Sequence, residues 1–165
     1  MKKCDIIIPI YNSPDWVKLC VYALFENTPK EYINEVILMN DNSNDFTSNS
    51  LKNLKKKYGK YITLVNNKEN LGFVKNVNKG LEKCSADYVL LLNTDCLLSR
   101  NTIPKLINHI EKNNKIGLIC PVSSNAANLS LEMFEGFNYN QMNDLLESKF
   151  SGITFDACTV VGNCL

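Results

Sequence analysis

Asn93, Thr94 and Asp95 close an apolar run, Tyr88 to Leu92, and at this junction the sequence places side chains able to do chemistry. Residues two apart on an extended chain point to the same side, so Asn93 and Asp95 can face one ligand or one hard cation together while Thr94 points away. Open α/β sheets receive ligands at the C-terminal ends of their strands. An amide oxygen and a carboxylate emerging there make a candidate metal and phosphate site. Asn, Thr and Asp are also ordinary turn and cap residues, so the triplet taken alone is equally a turn.

Three other apolar runs end in polar clusters. Ile6 to Ile10 leads into Tyr11 and Asn12; Val36 to Met39 leads into Asn40-Asp41-Asn42-Ser43-Asn44-Asp45; Tyr61 to Val65 leads into Asn66-Asn67-Lys68-Glu69-Asn70-Leu71-Gly72. Each of these runs reads as a strand, and the continuous one, Tyr88 to Leu92, reads as the central strand, covered on both faces in a parallel sheet. Short polar acceptors after such strands suit either a ligand-facing loop or plain turns and caps. Gly72 lets the backbone turn or a ligand come close.

Helical periodicity fills the gaps between the strands. Ser13-Pro14-Asp15 supplies an N-cap, a first-turn proline and an acid suited to the helix dipole, and Trp16, Leu19, Cys20, Ala23 and Leu24 then form a stripe expected to pack on the sheet. A second helix over Phe46 to Tyr58 carries Leu51, Leu54 and Tyr58 inward, with Lys52, Lys55, Lys56, Lys57 and Lys60 on its solvated side. A third over Phe73 to Glu82 turns Val74, Val77 and Leu81 inward and leaves Lys75, Asn76 and Asn78 for other faces. Ile103, Leu106, Ile107 and Ile110 mark a fourth, with His109, the only histidine, on its surface. Beyond it the pattern predicts a fifth strand over Ile116 to Val122, a short helix over Gln141 to Lys149 and a last strand over Phe155 to Val161.

A chain of 165 residues, 45% hydrophobic and 21% charged, suits one compact domain and neither disorder nor a membrane span. Eighteen basic against 17 acidic residues give a formal charge of +1, which removes the electrostatic case for nucleic-acid binding. Lys2 and Lys3 open the chain like a signal peptide, but Asp5 and Pro9 cut the apolar run and no cleavage site follows. Seven cysteines, odd in number, scattered and without a C-x-x-C pair, favour a reducing cytosol over a disulfide framework. The expected place is the cytoplasm, with membrane contact at most peripheral, at the inner face.

Strands alternating with helices, and polar loops collected at one edge, specify an α/β fold with a mostly parallel sheet and helices on both faces. The turn Pro9-Ile10-Tyr11-Asn12 lacks the glycines of a nicotinamide-binding motif, and no Walker A loop is present. Taken in order, Ile7-Ile8-Pro9-Ile10-Tyr11-Asn12, Ile37-Leu38-Met39-Asn40-Asp41-Asn42-Ser43-Asn44-Asp45, Asn70-Leu71-Gly72-Phe73 with Asn76, Asn78 and Gly80, and Leu92-Asn93-Thr94-Asp95 resemble the motifs of the inverting family 2 glycosyltransferases of GT-A fold. The rhamnosyltransferase-like members are the nearest in pattern. The last motif is similar to the metal-binding D-x-D in its L-N-x-D form, with Asn93 replacing the first acid. The resemblance is strong from about Lys3 to Val122 and weaker beyond, although Phe155 to Leu165 looks like the strand before the family's acceptor region.

The resemblance implies a sugar moved from a nucleoside-diphosphate donor to a saccharide or glycoconjugate hydroxyl, with inversion and with Mn²⁺ or Mg²⁺ assisting. It implies Pro9, Tyr11 and Asp41 around the nucleoside, Asn70, Lys75 and Asn93 near ribose or phosphate, and Asp95 on the metal. Residues 1–165 then read as a single donor-binding domain that stops before the acceptor half, and no catalytic base is assigned. A non-catalytic nucleotide-sugar-binding domain of the same fold is the alternative.

Overall fold

The computed structural model describes residues 2–125, 130–156 and 164. Four parallel strands, β1 (Cys4–Ile10), β2 (Ile33–Asn40), β3 (Ile62–Asn66) and β4 (Tyr88–Leu91), form one sheet in the order β3-β2-β1-β4. The helices are α1 (Pro14–Asn27), α2 (Asp45–Tyr58), α3 (Phe73–Leu81), α4 (Thr102–Ile110) and α5 (Tyr139–Phe150), with short 3-10 turns at Lys30–Tyr32 and Gly59–Tyr61.

Strand parity divides the core. Ile6, Ile8, Ile10, Val36 and Leu38 face α1, α2 and α4, packing with Val17, Cys20, Val21, Leu24, Leu51, Leu54, Ile103 and Ile107. Ile7, Ile37 and Met39 point to the opposite face, where α3 lies. Successive side chains on a strand alternate faces, so a strand buried on both reads as an unbroken apolar run. Gly80 lets α3 settle close: a Cβ there would stand 2.9 Å from Ile7 Cγ2 and 3.2 Å from Met39 Cγ.

The register aligns the functional edge. Ile10 pairs with Asn40, and Asn40 with Asn66, so three strands end side by side. β4 stops earlier, at Leu91 opposite Ile7. The chain then turns out through Asn93 and Asp95 beside the end of β1.

Several expectations are corrected. The central strands are β1 and β2, whereas β4 is an edge strand among the described residues, with Val89 37% exposed. In α1 the expected Cys20, Ala23 and Leu24 are buried, joined by Val17 and Val21, whereas Trp16 is 54% exposed and Leu19 and Tyr22 also lie outside. Periodicity alone did not separate these two faces, and the one that meets Ile6, Ile8 and Ile10 is the one buried. In α3 the buried residues are Asn76, Val77 and Gly80, while Val74 is 67% exposed and Leu81 is exposed too. The glycine sets that contact face, because the helix approaches where side-chain bulk is least. Residues 116–122 form no strand, and among the described residues β4 pairs with β1 alone. Phe155 and Asp156 are not in a strand, and the rest of the expected last strand lies outside the described residues. Leu92 and Cys164 form an isolated antiparallel bridge.

Candidate functional site

Asp41 follows β2 directly and is 3% exposed. Its Oδ1 accepts from Asn67 Nδ2 at 2.8 Å and Leu71 N at 2.9 Å, and its Oδ2 accepts from Gly72 N at 2.9 Å. One carboxylate therefore gathers the whole loop between β3 and α3. Gly72 is the N-cap of α3 with φ +76°, a conformation that costs a side-chain-bearing residue energy. Asn70 Oδ1 also accepts from Gly72 N, at 2.9 Å, closing a local Asx turn.

A layer of amides supports this latch. Asn67 Nδ2 donates to Asn76 Oδ1 at 2.8 Å as well as to Asp41, and Asn76 Nδ2 donates to the Met39 carbonyl at 3.0 Å. Lys79 Nζ donates to Asn67 Oδ1 at 2.8 Å, bringing a cation behind the buried carboxylate. Burial of a polar group is tolerable when its hydrogen bonds are met, and here they are. Asn67 and Asn76 stand in the sequence as members of a polar cluster and of the Asn70–Gly80 motif, but their pairing with Asp41 and the part played by Lys79 emerge only from the structure. The available signal was the density of asparagines around the strand ends.

The first loop is tied to the second. Asn12, at φ +50°, accepts from Asn44 N at 2.8 Å through Oδ1 and donates its own N–H to Ser43 Oγ at 3.1 Å. Asn44 in turn caps α2, accepting from Thr47 N at 3.0 Å. Asn40 donates to Asn66 Oδ1 at 2.8 Å and accepts from Ser43 N at 3.1 Å, and the Asp41 N–H reaches the Ile10 carbonyl at 2.9 Å. Held between these bonds, Tyr11 presents a ring that is 55% exposed. Pro9 is half-buried in β1, opposite Met39. Lys75 is exposed on the first turns of α3, and Lys79 rather than Lys75 reaches the Asp41 network.

Asn93 and Asp95 stand at the same edge beyond β4. Asp95 is exposed, whereas Asn93 Oδ1 is buried and has no protein donor. An unmet buried acceptor costs about 1–3 kcal/mol, a deficit that a cation or a ligand donor removes. The Asn93 carbonyl accepts from Cys20 Sγ at 3.5 Å, and Cys96 Sγ lies 3.8 Å from Asp95 Oδ1. Burial, and then the Asp95 carboxylate, push the Cys96 thiol up to about 11. Among the described residues no group of three or more His, Cys, Asp or Glu is placed to hold a metal. Two hard oxygen donors fit Mg²⁺ or Mn²⁺ when phosphate and water complete the shell. His109 sits partly exposed in the last turn of α4. Among the described residues no helix is long and apolar enough to cross a membrane.

The fold and this edge have counterparts among known proteins. The sequence model described as "Glycosyl transferase family 2" matches residues 5–158. An uncharacterized glycosyltransferase of Haemophilus influenzae is 29% identical over 119 residues, 70% of this chain and 36% of that protein. The poly(ribitol-phosphate) beta-N-acetylglucosaminyltransferase TarP of Staphylococcus aureus is 30% identical over 115 residues, 69% of this chain and 35% of that one. The chain thus spans about a third of the length of these curated relatives. The crystal structure of GalNAc-T7 with UDP, GalNAc and Mn²⁺ superposes with a TM-score of 0.62 at 21% identity, covering 68% of this chain and 21% of that one. That likeness shows the fold, a GT-A arrangement of parallel strands and flanking helices. The family match extends over nearly the whole chain and includes every loop of the strand-end edge, and this chain belongs to glycosyl transferase family 2.

Proposed function

We propose that this chain is the donor-binding region of an inverting, metal-assisted glycosyltransferase. It takes a sugar from a nucleoside diphosphate and passes it to an acceptor hydroxyl in building a surface polysaccharide or glycoconjugate. The observation that carries the reading is the pairing of a latched Asp41 loop with Asn93 and Asp95 on one sheet edge of a family 2 chain. The Staphylococcus aureus relative, a poly(ribitol-phosphate) beta-N-acetylglucosaminyltransferase, supports a surface polymer as the destination. Work on such a donor belongs in the cytoplasm, with any membrane contact peripheral.

Each residue has a physical task. Tyr11 borders the base with its exposed ring, beside Pro9. A carboxylate offers about four acceptor positions, and the loop occupies three on Asp41, leaving one on Oδ2 for a nucleobase N–H. That geometry suits the ring N–H of uracil or thymine. Asn70 and Asn93 offer amides toward ribose and phosphate, and Lys75 offsets phosphate charge. Asp95 and Asn93 would hold Mn²⁺ or Mg²⁺, which when bound would stabilise charge on the departing diphosphate. Inversion follows from the family 2 resemblance, with an acceptor hydroxyl deprotonated by a carboxylate not assigned in this chain.

Calorimetric titration with UDP, dTDP and GDP in Mn²⁺ tests the reading. UDP or dTDP should bind and GDP should not; binding of GDP alone contradicts the role given to Asp41.

A further inference from the structure

The opposite edge of the sheet, where the strands begin, carries a cavity of about 350 Å³. Lys3, Lys30 and Lys60 line it together with Tyr61, Asn34 and a single acid, Glu31. All three lysines are exposed, and among the described residues none of them enters an ion pair. Lys30 Nζ stands 5.7 Å and Lys60 Nζ 5.3 Å from the centre of the Tyr61 ring, so one aromatic ring of the lining is in cation–π reach of two ammonium groups. Tyr61 is itself fixed, edge-on to Phe25 at 6.1 Å, and Phe25 stacks on Tyr58 at 4.0 Å.

Glu31 is the one carboxylate in the lining, against three lysines, and Asp87 Oδ2 accepts from the Lys3 N–H at 3.2 Å. Asp5 lies behind Asn34, buried, with one oxygen taken by Asn34 Nδ2 at 2.8 Å and the other by the N–H groups of Ser85 and Ala86 at 2.7 and 2.8 Å. A second cavity, lined by Lys2, Asp87 and Glu111 among others, differs in this respect: Lys2 is paired with Asp87 at 2.6 Å, and Glu111 accepts from Tyr88. Three lysines without an ion-pair partner among the described residues, lining one cavity, attract an anion, and ammonium groups suit a compact, multiply charged oxyanion.

We infer that the cavity between Lys3, Lys30, Lys60 and Tyr61 binds a phosphate group. β1 is seven residues long, which puts this site roughly 20 Å from the Asp41 edge. It is independent of the donor reading. A free polyphosphate or phosphate ester and the headgroup of an anionic lipid present the same chemistry, and two probes separate them.

The whole 165-residue chain is titrated with inorganic pyrophosphate in EDTA by ¹H–¹⁵N NMR, and floated with phosphatidylcholine vesicles with and without phosphatidylglycerol. Saturable pyrophosphate shifts at Lys30, Lys60 and Tyr61, weakened about tenfold or more in K30Q/K60Q, establish a site for free phosphate. Flotation only with phosphatidylglycerol, lost in K30Q/K60Q and without pyrophosphate binding, establishes the lipid source. Both lysines are exposed, so the variant should fold, which circular dichroism checks, and D95A should bind as the wild type does. Absence of binding to either probe, or binding unchanged in K30Q/K60Q, overturns the inference.

Discussion

The Asp41 carboxylate takes N–H groups from Asn67, Leu71 and Gly72, so Asp41→Ala removes three contacts at once and leaves buried donors unmet. The expected loss is about 2–4 kcal/mol of stability in urea unfolding, together with loss of nucleotide binding. Asn67→Ala acts through the same network, because Asp41, Asn76 and Lys79 all lose a partner. About 2–3 kcal/mol is expected there, and a double variant with Asp41→Ala should cost less than the sum of the two singles. Additivity would mean that the two side chains do not act as one latch. The Asp41 loop was legible from the sequence as a cluster of acceptors; the inward turn of Asn76 was not, since an amide on a helix reads as solvent-facing until its partners are known.

Within α3 the decisive position is Gly80. Gly80→Ala gains helix propensity worth about 1 kcal/mol but drives a Cβ to 2.9 Å from Ile7, and both Ile7 and Met39 are fully buried. A net loss of about 1–2 kcal/mol in urea unfolding is predicted; an unchanged or raised midpoint would mean the helix moves off the sheet freely. Trp16→Ala should change stability by less than about 0.5 kcal/mol, as for other exposed positions. The elements themselves were legible because their periods differ, 2 for strands and 3.6 for helices. Which of two equally periodic faces turns inward, as with Trp16 against Val17, depends on the sheet surface that receives it. The apolar run at 116–122 shows the same limit, because a strand exists only with a partner ladder.

For the molecule as a whole, the thiols set a pH limit. Burial raises Cys4 to about 12, and Cys84 and Cys96 to about 11, from the ordinary 9.0. Above about pH 9 the unfolded chain releases these protons while the folded chain keeps them, so their stabilising contribution is complete below pH 9 and disappears as pH rises through 11 to 12. The urea midpoint should fall over that window, and less steeply in Cys84→Ala/Cys96→Ala; an equal slope in both would remove these two thiols as a cause. At this scale the parallel α/β order and the gathering of polar loops at one edge were legible from the succession of runs. The strand order β3-β2-β1-β4 was not, because pairing is a long-range property that no local window contains.

The central claim, a metal-dependent donor site at Asp95, is tested most directly by thermal unfolding of the chain with UDP, dTDP, GDP and NADH, each in Mn²⁺ or EDTA, alongside Asp95→Ala. Ligand at about 100 times its dissociation constant adds roughly 2.7 kcal/mol, on the order of 5–10 °C for a domain of this size. The account predicts a shift with one nucleoside diphosphate in Mn²⁺, absent in EDTA and absent in Asp95→Ala, with NADH inert. A shift of equal size in EDTA or in Asp95→Ala, or none with any nucleotide, would contradict it.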